Sequence, residues 1–160
     1  MNSVNFPLGN ANGLDHSPCG RGSVAGLGEL YAREDKIVRK RILLVDDEGL
    51  FRELIRRLLA RDEHTVVQAN NGVEAFSLFT KGQFDLVMTD FELPFMKGNE
   101  LAARIKQLAP GQPILMITGH KRRRGPANPV DAVLTKPVDA DQLRTAMAGL
   151  LSDVGESFTA

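Results

Sequence analysis

The chain has 160 residues, of which 42% are hydrophobic and 25% charged, enough for one globular core with material left over. Twenty basic residues balance twenty acidic ones, which excludes a global pull toward nucleic acid or an acidic membrane. One cysteine, Cys19, excludes an internal disulfide; apolar runs too short for a membrane span and the lack of a secretory signal make a cytoplasmic setting the expectation.

Residues 1–36 read as a flexible N-terminal extension. As far as Gly28 they are dense in Gly, Asn, Ser and Pro without periodicity, a composition that buries too little apolar surface to offset its ordering entropy. His16 and Cys19 lack the second pair that zinc needs, and the glycines at 20, 22, 26 and 28 follow no strand. Leu27, Leu30 and Tyr31, ahead of the charged run Arg33 to Lys36, are expected to form a short helix leading into the domain. Residues 37–152 read as that domain and 153–160 as a frayed tail.

Within the domain, short β-branched runs alternate with helical periods, the pattern of a parallel sheet with crossover helices. Arg41 to Asp46 is the first strand. Leu50, Phe51, Leu54, Ile55, Leu58 and Leu59 then recur at three- and four-residue spacing, an apolar helix face expected to pack on the sheet, with Arg52, Glu53, Arg56 and Arg57 on the other face. Thr65 to Ala69 is a strand, Val73, Phe76 and Phe79 mark a helix, and Phe84 to Thr89 is a third strand. Leu101, Ala102, Ile105 and Leu108 mark a helix ending before Pro110; Ile114 to Thr118 and Ala132 to Thr135 are strands; Leu143, Ala146, Met147 and Leu150 mark the last helix.

Each of four strands ends in a polar group: Asp46 and Asp47, Asp90, Thr118 and Lys136. In open sheets of this kind ligands bind at the carboxyl ends of strands, where the strand order reverses. With order 2-1-3-4-5 that point lies between the first and third strands, so Asp46, Asp47 and Asp90 converge there, with Thr118 and Lys136 beside them. Clustered carboxylates repel unless a cation joins them, and hard oxygens at a shallow site suit Mg²⁺, which holds few protein ligands and takes phosphate oxygens as well. Lys136 and Thr118 are placed to hold two further phosphoryl oxygens, and Asp90 to attack phosphorus and form an acyl phosphate.

The motifs Asp46-Asp47-Glu48, Asp90-Phe91-Glu92-Leu93-Pro94-Phe95-Met96-Lys97-Gly98, Thr118-Gly119 and Lys136-Pro137 resemble those of the receiver domains of two-component response regulators. The resemblance covers about Arg39 to Leu151. It implies a CheY-like, flavodoxin-like doubly wound five-stranded α/β fold. It also implies Asp90 as phosphoacceptor, Mg²⁺ on Asp47, Asp90 and the Glu92 backbone carbonyl with Asp46 acting through water, phosphoryl contacts from Thr118 and Lys136, and a cis Lys136-Pro137 bond. The phosphoryl donor would be a sensor histidine kinase or a histidine phosphotransfer protein, and the output a downstream protein target or a phosphorelay. No nucleic acid or membrane partner is expected, and the protein would be a monomer or weak dimer, a phosphoacceptor rather than an enzyme.

Departures from the family pattern are informative. Val133 stands where members carry Tyr or Phe, and Gly125-Pro126 and Asn128-Pro129 interrupt the usual fourth helix, which is expected to be irregular or shortened. Glu92 and His120, each two residues past a motif residue, are expected to tune acyl-phosphate hydrolysis. The basic run Arg122-Arg123-Arg124 reads as a solvated loop. Two alternatives stay open: a degenerate receiver acting as a phosphorylation-independent docking module, and an aspartyl-phosphate hydrolase using Glu92 as acid-base group.

Overall fold

A computed structural model of the chain describes residues 38–119 and 129–152. The expectations for residues 1–36, for the helix-breaking segment 120–128 with His120 and the arginine run, and for the tail 153–160 lie outside the described residues. Among those described there are five parallel strands and four helices, in the order β1 Arg41–Val45, α1 Gly49–Arg61, β2 Thr65–Ala69, α2 Gly72–Lys81, β3 Leu86–Thr89, α3 Gly98–Leu108, β4 Ile114–Thr118, β5 Ala132–Thr135 and α4 Ala140–Ser152. The sheet order is β2-β1-β3-β4-β5, as expected. None of the described helices is long and apolar enough to cross a membrane.

Helices cover both faces of the sheet, so the inner strands are near-continuous apolar runs rather than alternating ones. On one face Leu43, Val45 and Val87 pack with Ala75, Leu101, Ala102 and Ile105 of α2 and α3. On the other, Ile42, Leu44, Leu86, Met88, Leu115 and Ile117 pack with Ile55 and Leu59 of α1 and with Leu143 and Met147 of α4. Burial of side chains of this size stabilises by roughly 1.5–3 kcal/mol each.

Local chemistry sets the boundaries. α1 ends where Glu63 takes a left-handed conformation, φ 61°, while the His64 amide donates to the Leu59 carbonyl. At the start of α2 the Asn71 side chain accepts from the Glu74 amide, and the Glu74 carboxylate accepts from the Asn70 amide, so two otherwise orphaned donors are satisfied. At the amino end of the sheet, Lys106 donates to the Gln112 carbonyl at 2.7 Å and to Asp131, whose carboxylate also accepts the Ile114 amide at 2.7 Å. That knot ties the start of β4 to the start of β5.

Three readings need correction. β3 begins at Leu86, not Phe84, because the Asp85 carboxylate turns back to accept the Arg41 amide. β1 stops at Val45, since Asp46 turns into the following loop. The apolar face of α1 does not pack on the sheet along its whole length: Leu50 is 86% and Leu54 51% exposed, and only Ile55 and Leu59 are fully buried. Leu50 and Leu54 lie four residues apart on one flank of the helix, beside the row of Phe51, Ile55 and Leu59 that joins the core.

Candidate functional site

The loops after β1, β3 and β5 deliver the charged cluster. The Asp46 amide donates to the Ala69 carbonyl at 3.2 Å and its Oδ1 accepts the Glu48 amide at 2.8 Å, a tight turn that buries Asp46 and leaves Asp47 exposed. Helix capping is therefore not the role of either acid: the residue before α1 is Glu48, and no side chain caps that end. Asp90 follows β3 directly, its amide donating to the Val45 carbonyl at 2.9 Å and its Oδ1 accepting from the Phe91 amide. One oxygen from each of Asp46, Asp47 and Asp90 lies within 4.8 Å of the others.

Lys136 completes the cluster. Its amide donates to the Thr118 carbonyl at 2.9 Å, the Lys136-Pro137 bond is cis, and its Nζ donates to Asp46 Oδ2 at 2.8 Å and to Asp90 Oδ2 at 3.2 Å. Burial pushes the Asp46 carboxyl above the usual carboxylate range, and the hydrogen bond from Lys136 offsets this only in part. Burial also works to lower the Lys136 ammonium, but its bonds to Asp46 and Asp90 prevail and raise it. The ammonium thus serves as the resident counter-ion of the acids.

Thr118 is fully buried at the end of β4, in register with Thr135. The Glu92 carboxylate lies apart from the acid cluster and pairs with Lys97 at 3.5 Å, both side chains half exposed. Val133, at the position expected to carry an aromatic ring, is half-buried in β5 opposite Met116.

Two residues assigned only to helix faces by periodicity touch the site. The Phe51 ring centroid lies 4.0 Å from Lys136 Nζ. The Arg52 guanidinium donates to the Asp46 carbonyl and, at 3.0 Å, to Gln68 Oε1, bracing the turn against β2. The available signal was position: both lie in the first turn after the acidic pair, and Gln68 is a polar residue inside an apolar strand.

The loop from Asp90 to Gly98 is wedged in place. A Cβ on Gly98 would lie 1.9 Å from the Asp90 carbonyl oxygen, and one on Gly72 would lie 2.4 Å from that of Met96. Between them Phe95 is 88% exposed at φ 68°, a conformation that disfavours side chains. An open hollow of about 920 Å³, lined by residues including Arg41, Phe84 and Asp85, lies at the opposite end of the strands. The chemistry thus sits at a shallow charged rim, away from that volume.

The family model of the response regulator receiver domain matches residues 42–148. The chain belongs to the response regulator receiver family. This receiver is 32% identical over 117 residues to the chemotaxis protein CheY of Halobacterium salinarum, covering 71% of this chain and 98% of that protein. It is 38% identical to a segment of the sensor histidine kinase AruS of Pseudomonas aeruginosa, matching over 74% of this chain but only 12% of the kinase. Among solved structures, the response regulator TrrA of Thermotoga maritima in complex with Mg²⁺-BeF is 33% identical with a TM-score of 0.67, over 70% of this receiver and 99% of that chain. A receiver domain protein of Clostridium thermocellum is 28% identical with a TM-score of 0.67, over 71% of this receiver and 95% of that chain.

Proposed function

We propose that this receiver accepts a phosphoryl group on Asp90 from a phosphohistidine of a sensor kinase or phosphotransfer protein, in a Mg²⁺-dependent reaction, and signals through a protein partner or a phosphorelay. The observation that carries the reading is the meeting of three carboxylates within 4.8 Å with a lysine bonded to two of them. That donor set fits Mg²⁺: the ligands are oxygens, and burial holds Asp46 above its usual range despite its hydrogen bond from Lys136, so a further cation would favour its charged form. Asp46, Asp47, Asp90 and the Glu92 carbonyl are the proposed holders, and bound Mg²⁺ supplies charge neutralisation for the acids and the phosphoryl oxygens.

The protein's own groups do the rest. The Asp90 carboxylate attacks phosphorus; the P–N bond to the donor imidazole breaks, its electron pair stays on the nitrogen, and a mixed anhydride forms on Asp90. Lys136, freed from Asp90 as that carboxylate gives up charge, binds a phosphoryl oxygen, and the Thr118 hydroxyl donates to another. The protein is then a substrate and switch for its kinase rather than a turnover enzyme. Nucleic acid and membrane play no part in this reading, and a cytoplasmic monomer or weak dimer suffices.

Intact-mass measurement after incubation with acetyl phosphate and Mg²⁺ tests the proposal. One added phosphoryl group on the parent, and none on Asp90→Asn, is expected. Equal labelling of both, or of neither, refutes Asp90 as acceptor; an unlabelled parent that still binds its partners would favour the docking-module alternative.

A further inference from the structure

We propose that Phe51 is a positioning residue for phosphoryl uptake: its ring is the seat that keeps the Lys136 ammonium over the acid cluster when other ligands take the carboxylates. The inference rests on the phosphoacceptor reading and extends it to a residue outside the charged set. Lys136 carries its charge on a flexible four-carbon stem with three rotatable donors, so aim is not built into the side chain itself. Four partners surround Nζ: Asp46 Oδ2 at 2.8 Å, Asp90 Oδ2 at 3.2 Å, Glu48 Oε2 at 3.9 Å and the Phe51 ring centroid at 4.0 Å.

The first two partners belong to carboxylates that the proposed cation and phosphoryl group would also engage. Glu48 is exposed, and a contact of that length between such groups holds little. The ring is the one partner of the four that neither a cation nor an anion displaces. Its electron-rich face attracts an ammonium within about 6 Å, most strongly where water is thinned. Phe51 is itself held in place, because it packs against the core group containing Ile55, Leu143 and Met147. A flexible cation on a fixed ring stays aimed at the site after its carboxylate bonds are gone. If Phe51 were only core filling, any apolar residue of similar size would serve.

The experiment uses the full chain. Initial rates of labelling by acetyl phosphate with Mg²⁺ are measured by intact mass for the parent, Phe51→Leu, Phe51→Tyr, Lys136→Met and Phe51→Leu with Lys136→Met. Phe51→Leu is expected to slow labelling roughly five- to tenfold, and Phe51→Tyr, which keeps the ring face, to restore most of the rate. In the Lys136→Met background Phe51→Leu adds nothing, because the pair acts as a unit. Independently of phosphorylation, NMR of the parent should show upfield ring-current shifts of the Lys136 ε-methylene protons that vanish in Phe51→Leu. Equal rates for Phe51→Leu and the parent overturn the proposal. So does the same slowing in both lysine backgrounds, which would mean general damage to the fold, or an unshifted methylene in the parent. A parent that takes up no phosphoryl group at all sinks the underlying reading instead, a result distinct from these.

Discussion

Replacing Gly98 by alanine adds one methyl group at the most crowded point of the site. The added Cβ would lie 1.9 Å from the Asp90 carbonyl oxygen, 2.9 Å from its carbon and 3.1 Å from the Phe91 Cα, all backbone atoms. Gly98 has no positive φ, so alanine suits its conformation and the whole cost is contact. A real Cβ essentially never comes within 3.0 Å of such atoms, so either the start of α3 or the end of β3 must move by about 1 Å. Overpacking typically costs about 1–3 kcal/mol, and a backbone wall that cannot rotate away puts this case at roughly 3 kcal/mol, a large fraction of a typical 5–15 kcal/mol stability. Urea unfolding followed by circular dichroism measures it directly. Gly111→Ala and Gly149→Ala, where nothing lies within 4 Å of the added carbon, are internal controls. Gly149 lies inside α4, so its alanine variant is expected to gain up to about 1 kcal/mol. Labelling of Asp90 should fall by roughly 100-fold in Gly98→Ala, because a shift of about 1 Å in a reacting group is enough. A Gly98→Ala protein within about 0.5 kcal/mol of the parent, labelled at the parent rate, would refute the argument that this loop is sterically locked.

Three further outcomes are expected. Phe95→Asn should stabilise by roughly 0.5–1 kcal/mol, since Asn tolerates the left-handed conformation and the lost ring is solvent-exposed; a lower urea midpoint would show that the ring has packing partners. Lys136→Met should tighten Mg²⁺ binding about tenfold or more by calorimetry, because the ammonium now occupies Asp46 and Asp90 oxygens; weaker binding would refute that competition. Burial holds the His64 imidazole below its ordinary 6.5, and its Nδ1 accepts the Lys40 amide at 3.2 Å. The neutral ring therefore contributes stability that is complete above pH 6.5 and is lost as pH falls through the lowered folded value. His64→Gln should flatten this acid-side decline in urea midpoints, and an unchanged slope would assign the decline to other groups.

Much of the architecture is legible because its signals are local. β2, β4 and β5 span the expected residues, each a short β-branched or apolar run bounded by polar or turn residues. The convergence of Asp46, Asp47, Asp90 and Lys136 follows from topology, since parallel strands with crossover helices bring all their carboxyl ends to one rim. Leu50 and Leu54 misled because helical periodicity records which side of a helix is apolar and not how much of that side the core covers. The contacts of Phe51 and Arg52 were illegible for a related reason. A residue on a core face or a solvated face can also reach around the helix end, and that depends on crossing geometry that spacing does not encode. The left-handed Phe95 runs against its intrinsic preference, so propensity could not have marked it.

The knot of Lys106, Asp131, Gln112 and Ile114 divides the molecule mechanically. β5 is anchored at its beginning by that knot and carries Lys136 just past its far end, so the lysine inherits its placement from the floor of the sheet. The register of β5 is fixed from Asp131 onward, before the chain climbs back to the charged rim. The ammonium that faces the acids thus takes its bearings from polar contacts at the far end of its own strand.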